Sequence, residues 1–250
     1  LEKYDLAVIA KPTETFSDAE KQVLDQYIIN GGKTLWLVDQ VAVEMDSLYN
    51  SAGGTLAYPR DLNLNDMFFK YGFRINPDIV KDEQGSPIKL ATGEQGSATQ
   101  YQDFNWKFAP LVYPESTHPI VKNLGGIKFD FANPIDTLKN GIKKTVLLKS
   151  SQYSKKIGTP VEVNLDIVAE ETSPNHYIKT GNIPLGILLE GQFHSVFENR
   201  VLPFDQPTFK KEGKASKMIV ISDGDLIKNQ LDKNFQPLEQ QLRKQYHIQD

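Results

Sequence analysis

Cysteine is absent from this chain of 250 residues, which excludes disulfide bonds, thiolate metal sites and cysteine nucleophiles together. Long apolar runs are missing as well. The longest charge-free apolar stretch of note, residues 183–189, is far shorter than the roughly 18 residues that span a bilayer. A basic excess is also lacking, because 28 lysine and arginine residues stand against 32 acidic ones, for a net charge of −4. This balance does not favour nucleic acid as a partner, and we expect none.

The composition that is present is that of a folded, globular protein. Hydrophobic residues make up 39% of the chain, charged residues 24% and aromatic residues 10%, which excludes a disordered or low-complexity chain. The chain opens on Leu1 and enters a strand-like run at Leu6, with no signal peptide before it. We therefore expect a segment of a longer protein whose anchors and targeting elements lie outside it.

The first forty residues predict a strand, a helix and a second strand. Residues 6–10 form a short continuous apolar run, which is typical of a strand buried on both faces. Ser17 and Glu20 have capping-box spacing, and the apolar residues behind them recur on one helical face with charge opposite. Gly31 and Gly32 supply a left-handed stop before a second buried strand over residues 34–38. Such a βαβ unit is right-handed and predicts a parallel sheet.

Beyond residue 50 the pattern predicts shorter elements. A helix over residues 64–71 ends at Gly72, and strands over 74–80 and 86–90 flank a turn and predict a hairpin. Two polar stretches predict a mobile loop and a solvated loop, residues 91–105 and 196–217. Further strands are predicted over residues 108–113, 127–131, 145–148, 185–189 and 218–221, of which 127–131 alternates and should be half exposed.

These elements predict one main α/β body over residues 1–250, with no linker that divides it. We divide the body into a βαβ unit (1–50), an insertion with a helix and a hairpin (51–135), later strands (136–235) and a C-terminal helical tail (236–250). The tail prediction rests on the helical periodicity of residues 226–246, which Pro237 interrupts.

The strongest candidate for a site is the Ser-Asp-Gly-Asp stretch at residues 222–225, directly after the predicted strand 218–221. Open parallel sheets bind ligands beyond the carboxyl ends of their strands, where Asp223 and Asp225 could hold a hard cation or a substrate. Asp39 ends the strand at 34–38 in the same way. The alternative is structural, because Asp and Gly after a strand are ordinary turn and cap residues. We expect Asp225 to cap a helix that begins near Leu226.

Other candidates have equally good structural explanations. Glycines in residues 92–97 could bring backbone amides to an anion, but flexibility explains them as well. Aromatic residues in the stretch 101–108 could stack sugars or bases, but their spacing of two fits strand packing. The four histidines are scattered, and the sequence contains no nucleophile elbow, zincin motif, phosphate loop or dinucleotide-binding motif. We therefore predict no catalytic residue, no metal and no cofactor.

Five blocks of sequence carry a resemblance to a known family. They are YDLAVIAKPTETFSDAEKQVLDQYIINGGKTLWLVD (4–39), YPRDLNLNDMFFKYGFRINPDIVKD (58–82), HPIVKNL (118–124), PIDTLKNGIKKTVLLKSS (134–151) and VISDGDLIKNQ (220–230). Their order and density over nearly the whole chain resemble the GldG family, the gliding-motility-associated ABC-transporter auxiliary proteins of the Bacteroidetes.

The resemblance implies more than the residue patterns do. It implies membrane anchors outside this segment, a periplasmic location at the inner membrane, and a GldF-like permease and a GldA-like ATPase as partners. The central region is also similar to the GIFT domain of intraflagellar-transport proteins. That similarity implies a flavodoxin-like, class I glutamine-amidotransferase-like sheet flanked by helices, with an upstream strand and helix outside this chain. Enzymes of that fold use a cysteine on a strand-to-helix elbow, and this chain has no cysteine.

The function expected from the resemblance is that of a non-enzymatic domain that acts through protein contacts with the permease complex. A ligand-binding module of the same transporter, taking a sugar, peptide or lipid headgroup near Asp39, Asp223 and Asp225, is the alternative. The oligomeric state and the transported substrate stay open.

Overall fold

The computed structural model describes residues 1, 3–49, 53–96 and 98–228. It contains two α-helices in these ranges, α1 (Asp18–Ile29) and α2 (Asn65–Tyr71), and three short 3-10 helices at Met45–Leu48, Leu165–Ala169 and Pro174–Tyr177. The strands are β1 (Leu6–Ala10), β2 (Lys33–Leu37), β3 (Val41–Ala42), β4 (Gly54–Pro59), β5 (Phe73–Ile75), β6 (Asp78–Asp82), β7 (Gly85–Gln95), β8 (Ala98–Val112), β9 (Ile127–Lys128), β10 (Ile135–Thr137), β11 (Lys143–Lys149), β12 (Ser154–Gly158), β13 (Val161–Asn164), β14 (Pro184–His194) and β15 (Glu212–Ile221).

The centre of the fold is a five-stranded mixed sheet with the strand order β1-β2-β15-β14-β11. Strands β1, β2 and β15 are parallel, whereas β14 is antiparallel to both β15 and β11. The other strands form small two- and three-stranded sheets. The expectation of a flavodoxin-like parallel sheet flanked by helices is therefore wrong. After the first forty residues, the described chain returns through antiparallel strands and irregular connections instead of helical crossovers.

The predicted βαβ unit itself is confirmed. Leu6 pairs with Lys33 and Ala10 with Leu37 in parallel register, with α1 between the two strands. The capping box is present: the Glu20 amide donates to Ser17 Oγ, and the Ser17 amide donates to Glu20 Oε2 at 2.8 Å. Local sequence was sufficient here because capping, helical periodicity and the glycine stop all indicate one structure.

Burial of the first strand differs from the prediction. β1 is an edge strand, and Leu6 and Val8 are about half exposed, whereas Ala7 and Ile9 face the core under α1. The continuous apolar run suggested burial on both faces. Burial in a sheet also depends on which strands and helices lie next to it, and a local run does not carry that information.

The polar side of α1 is buried as well. Lys21, Gln22 and Asp25 are almost inaccessible. Lys21 pairs with Asp66 at 2.8 Å, whereas the segment over residues 195–210 supplies the hydrogen-bond partners of Gln22 and Asp25. The Gln26 side chain donates to the Lys210 carbonyl at 2.9 Å and accepts from the Lys210 amide at 2.8 Å. The prediction that residues 196–217 form a solvated loop is therefore correct only in part: residues 196–211 contain no helix or strand and are mostly exposed, but several of them pack on α1, and residues 212–217 are strand. These residues cover α1 and then enter β15.

Two further predictions, both for the middle of the chain, are wrong. Residues 82–85 do not turn a hairpin, because β6 pairs with β12 and β7 pairs with β8. The polar stretch 91–105 belongs to that long β7–β8 hairpin and is not a loop. Turn-forming residues at 82–85 separate two strands that belong to different sheets, which local turn chemistry does not reveal.

The structure also tests the predictions for α2 and for residues 127–131. α2 ends as predicted at Gly72, whose φ of 99° is left-handed. Within residues 127–131 only Ile127–Lys128 form a strand. Phe129 and Phe131 are buried while Lys128 and Asp130 are partly exposed, as the alternation predicted. The four-part division of the chain stays a prediction, and the proposed tail, residues 236–250, lies outside the described residues. No helix of the described ranges is long and apolar enough to cross a membrane.

Candidate functional site

The candidate carboxylates do lie together, at the carboxyl edge of the three parallel strands. Leu37 of β2 is level with Ala10 of β1 and with Ile221 of β15. The residues that follow these strands therefore meet at one edge, as the parallel register requires. Asp39, Asp223 and Asp225 converge there, and Asp39 and Asp225 lie beside a lysine that the sequence analysis did not single out.

That cation is Lys11, the first residue after β1. Its Nζ lies 2.5 Å from Asp225 Oδ2, 2.7 Å from Glu44 Oε2 and 3.9 Å from Asp39 Oδ2. Its backbone has φ 46°, a left-handed conformation that is uncommon for a residue with a side chain. We call Lys11, Asp39, Glu44, Asp223 and Asp225 the edge cluster. The edge argument that singled out Asp39 applies equally to the residue after β1, and would have found Lys11.

Asp39 and Gly224 connect β2 to the turn after β15. The Gly224 amide donates to Asp39 Oδ1 at 2.6 Å. A Cβ at position 224 would lie 2.8 Å from both Asp39 Oδ2 and Lys11 Cγ. The glycine is needed because the carboxylate and the lysine stem already fill the space above it.

Asp223 is buried and accepts two backbone hydrogen bonds. The amides of Asp130 and Asp225 donate to its two carboxylate oxygens at 2.8 and 2.7 Å. Burial raises the pKa of Asp223 well above its usual range, although both amides act in the opposite direction. Asp223 therefore holds the turn to the loop before Phe131.

Asp225 corrects the capping prediction within the described residues. Its carboxylate pairs with Lys11 and accepts no backbone amide there, whereas its carbonyl accepts from the Lys228 amide at 2.7 Å. Leu226 and Ile227 form a turn, and most of the helix predicted for residues 226–246 lies outside the described residues. Lys11 takes the place of backbone amides as the partner of the Asp225 carboxylate. The residues near position 225 in sequence do not indicate this, because Lys11 is 214 residues away.

Two opposing effects set the charge of the cluster. Burial raises the pKa of Asp39 to about 6, although the Gly224 amide and Lys11 favour its ionised form. Burial alone would lower the pKa of Lys11. Hydrogen bonds to Asp225 and Glu44 outweigh burial, and the pKa of Lys11 is raised. At neutral pH the cluster holds an ammonium ion beside carboxyl groups, two of which, Asp39 and Asp223, are costly to ionise.

The Asp39→Asn variant is expected to be more stable than the parent at pH 8, by up to about 3 kcal/mol, with little difference at pH 4. The raised pKa means that folded Asp39 keeps its proton longer than unfolded Asp39. Its contribution to the free energy of unfolding therefore falls as pH rises from about 4 to about 6. The asparagine side chain keeps an acceptor for the Gly224 amide and does not ionise. Urea titrations of both proteins from pH 4 to pH 8 measure the difference, and a difference that does not change with pH would contradict this assignment.

The remaining sequence candidates lie apart from the edge cluster. Residues 92–96 are in the β7–β8 hairpin, near its tip. Trp106 and Phe108 pack in a core with Phe131, as the strand-packing alternative expected, whereas Tyr101 is exposed. His118 accepts the Ile120 amide, and no histidine of the described ranges lies in the edge cluster. Within those ranges, no group of three or more histidine, aspartate or glutamate side chains is arranged to hold a metal ion.

One family of known proteins matches the chain over nearly its whole length. The family described as "ABC-type uncharacterized transport system" matches residues 1–249. The chain belongs to this family. The match includes the βαβ unit and every residue of the edge cluster.

For this member of the ABC-type transport-system family, no curated protein gives a significant match. Among solved structures, the "mmIFT52 N-terminal domain" is similar, with 15% identity and a TM-score of 0.43 over 89% of this chain and 67% of that one. The family match identifies an auxiliary component of a transport system and names no substrate or partner.

Proposed function

We propose that this chain is the non-enzymatic, periplasmic domain of a membrane-anchored auxiliary protein that contacts the permease and ATPase of an ABC transporter. The single observation that carries the proposal is the family match over residues 1–249. The five sequence blocks that resemble the GldG family support the finer proposal, an association with gliding motility and with GldF- and GldA-like subunits.

The hydrogen bonds and ion pairs of the edge cluster favour a structural role for it over ligand binding. Asp39 and Asp223 each accept backbone amides, and Asp225 is paired with Lys11. A ligand at this edge would have to displace bonds that hold three strands and two loops together. The geometry therefore favours a cluster that stabilises the fold. This agrees with a domain that acts by binding other proteins on its surface.

Co-purification tests the proposal. The full-length protein, tagged outside this domain, is solubilised from membranes of its native host in mild detergent, and bound proteins are quantified by mass spectrometry. We expect a permease and an ATPase above the level recovered with an equally tagged, unrelated membrane protein. Recovery of neither subunit above that control would overturn the proposal.

The proposed location has its own test. A protease added to spheroplasts should degrade this domain while the cytoplasmic ATPase stays intact. Degradation of the domain only after the inner membrane is disrupted would contradict a periplasmic location. The ligand-binding alternative is tested by thermal unfolding in a panel of sugars, peptides, lipid headgroups and metal ions. A ligand at about one hundred times its Kd adds roughly 2.7 kcal/mol to the free energy of unfolding.

A further inference from the structure

The chain contains two Asn-Gly pairs, Asn30–Gly31 and Asn140–Gly141. This dipeptide is an especially reactive site for loss of the asparagine amide, because the glycine nitrogen can attack the preceding side-chain carbonyl without hindrance from a Cβ. The product is a succinimide ring, which water opens to isoaspartate or aspartate. Since the dipeptide is the same in both places, a difference in reactivity between the two pairs comes from their surroundings in the fold.

The fold restrains the first pair at the end of α1. Asn30 is the C-cap of this helix, and the Gly31 amide donates to the Ile28 carbonyl at 2.9 Å. The side-chain amide of Asn30 donates to the Gln26 carbonyl at 2.8 Å, so the nitrogen that would leave is bound as well. Ring closure at Asn30 has to break both hydrogen bonds and open the last turn of the helix. The folded protein therefore protects this pair.

The second pair lies in the connection between β10 and β11, where Asn140 and Gly141 are both exposed. The Gly141 amide donates to no residue that the structure describes. During the attack, negative charge develops on Asn140 Oδ1. This oxygen accepts from the Ile142 amide at 3.2 Å and from the Lys144 ammonium. Two donors at the oxygen where charge develops stabilise the tetrahedral intermediate, and the attacking nitrogen is free.

We propose that Asn140 is a site of spontaneous, age-dependent modification in the folded protein, whereas Asn30 stays intact. The Gly141 nitrogen loses its proton to a base in the solvent and bonds to Asn140 Cγ, the Cγ–Nδ2 bond breaks, and Nδ2 leaves as ammonia. Water then opens the ring, so the chain gains one water and loses one ammonia. Lys210 donates to Asn30 Oδ1 at 2.7 Å, so an ammonium is present at both sites, and the free glycine amide decides between them.

The modification changes a connection between two sheets. β10 pairs with β5, whereas β11 pairs with β14 in the central sheet. Isoaspartate adds one carbon to the main chain of this connection and replaces a neutral amide with a carboxylate. The Asn140 amide also lies against Gly72 at the end of α2, where a Cβ would overlap it. The added carbon therefore alters a turn that packs against α2, and the added charge allows the converted chain to be separated by ion exchange.

Peptide mapping of the aged chain tests the proposal. The purified chain is incubated in neutral buffer, folded or unfolded in guanidinium chloride, and the amide, aspartate and isoaspartate forms of both Asn-Gly peptides are quantified by mass spectrometry and enzymatic methylation of isoaspartate. We expect similar rates at the two pairs in the unfolded chain. In the folded chain, Asn30 should react about tenfold or more slowly than Asn140. Equal rates at the two pairs in the folded chain, or a faster reaction at Asn30, would overturn the proposal.

Two variants test the route of the reaction. Gly141→Ala fits the fold, because a Cβ there has no atom within 4 Å and Gly141 does not have a left-handed φ. The added Cβ hinders the attack, so conversion of Asn140 should slow severalfold while the urea midpoint stays that of the parent. Lys144→Met removes one donor from Asn140 Oδ1 and should also slow the conversion. A parent rate in folded Gly141→Ala would overturn the succinimide route, and a parent rate in Lys144→Met would overturn the role of Lys144.

Discussion

Replacing Lys11 with methionine is expected to lower the free energy of unfolding by about 3 kcal/mol. Methionine keeps most of the apolar stem and removes the ammonium that contacts Asp225, Glu44 and Asp39. Only longer contacts to cations are then left, from Arg60 to Glu44 at 4.0 Å and from Lys228 to Asp225 at 3.7 Å. Breaking a buried ion pair from one side costs about 3–5 kcal/mol, and the partial exposure of this cluster favours the lower end.

The pH dependence of the Lys11→Met variant separates electrostatics from packing. Without the cation the carboxylates repel, so the folded variant takes up protons at higher pH than the unfolded chain does. The deficit relative to the parent should therefore shrink as pH falls from 7 to 4. Lys143→Met is the control, because Lys143 is largely exposed and pairs with Glu190 at the surface, where a loss is below about 1 kcal/mol. Urea denaturation measures both. A Lys11→Met deficit as small as that of Lys143→Met, or one that is constant with pH, would contradict the assignment.

Asp25→Ala is expected to cost about 4 kcal/mol of unfolding free energy, the other large effect. Asp25 is fully buried on α1 and joins it to α2 and to the segment after β14. The Tyr71 hydroxyl and the Val196 amide donate to Oδ1 at 2.8 and 2.9 Å, and Ser195 Oγ donates to Oδ2 at 2.7 Å. Alanine leaves these donors buried without an acceptor, and each unsatisfied group costs about 1–3 kcal/mol.

Single-donor variants calibrate the Asp25 result. Ser195→Ala and Tyr71→Phe each remove one donor and keep the acceptor satisfied by the others, so each should cost clearly less than Asp25→Ala. Asp25→Asn keeps one oxygen acceptor and should fall between them. Equilibrium urea unfolding with a constant m-value measures the series. An Asp25→Ala cost equal to that of Ser195→Ala would contradict the hydrogen-bond account.

Sequence reasoning succeeded where one local signal was sufficient. The capping box at Ser17, the left-handed glycine after α2 and the parallel pairing of β1 with β2 all follow from patterns within about forty residues. The convergence of Asp39 with Asp223 and Asp225 also followed, because parallel register fixes which strand ends are neighbours.

Sequence reasoning failed where the outcome depended on distant partners. Residues 91–105 are polar and glycine-rich, yet they are strand because two halves of a long hairpin pair with each other. The periodicity of α1 indicates only that charge lies opposite its apolar face, and it does not reveal that Asp25 is buried, because the segment around Ser195 that covers it is 170 residues away. Lys11 directly follows β1, so parallel register places it at the same edge as Asp39, but its ion pairs with Glu44 and Asp225 join residues far apart in sequence.

The central claim is that this domain contributes contacts to an ABC transport complex. The most direct measurement is the ratio of permease and ATPase to auxiliary protein in complexes purified from native membranes, with residues 1–250 present in the full-length protein and with them deleted from it. We expect a fixed ratio for the intact protein and a marked loss of both subunits from the deleted one. Equal recovery of permease and ATPase with and without residues 1–250 would contradict the claim.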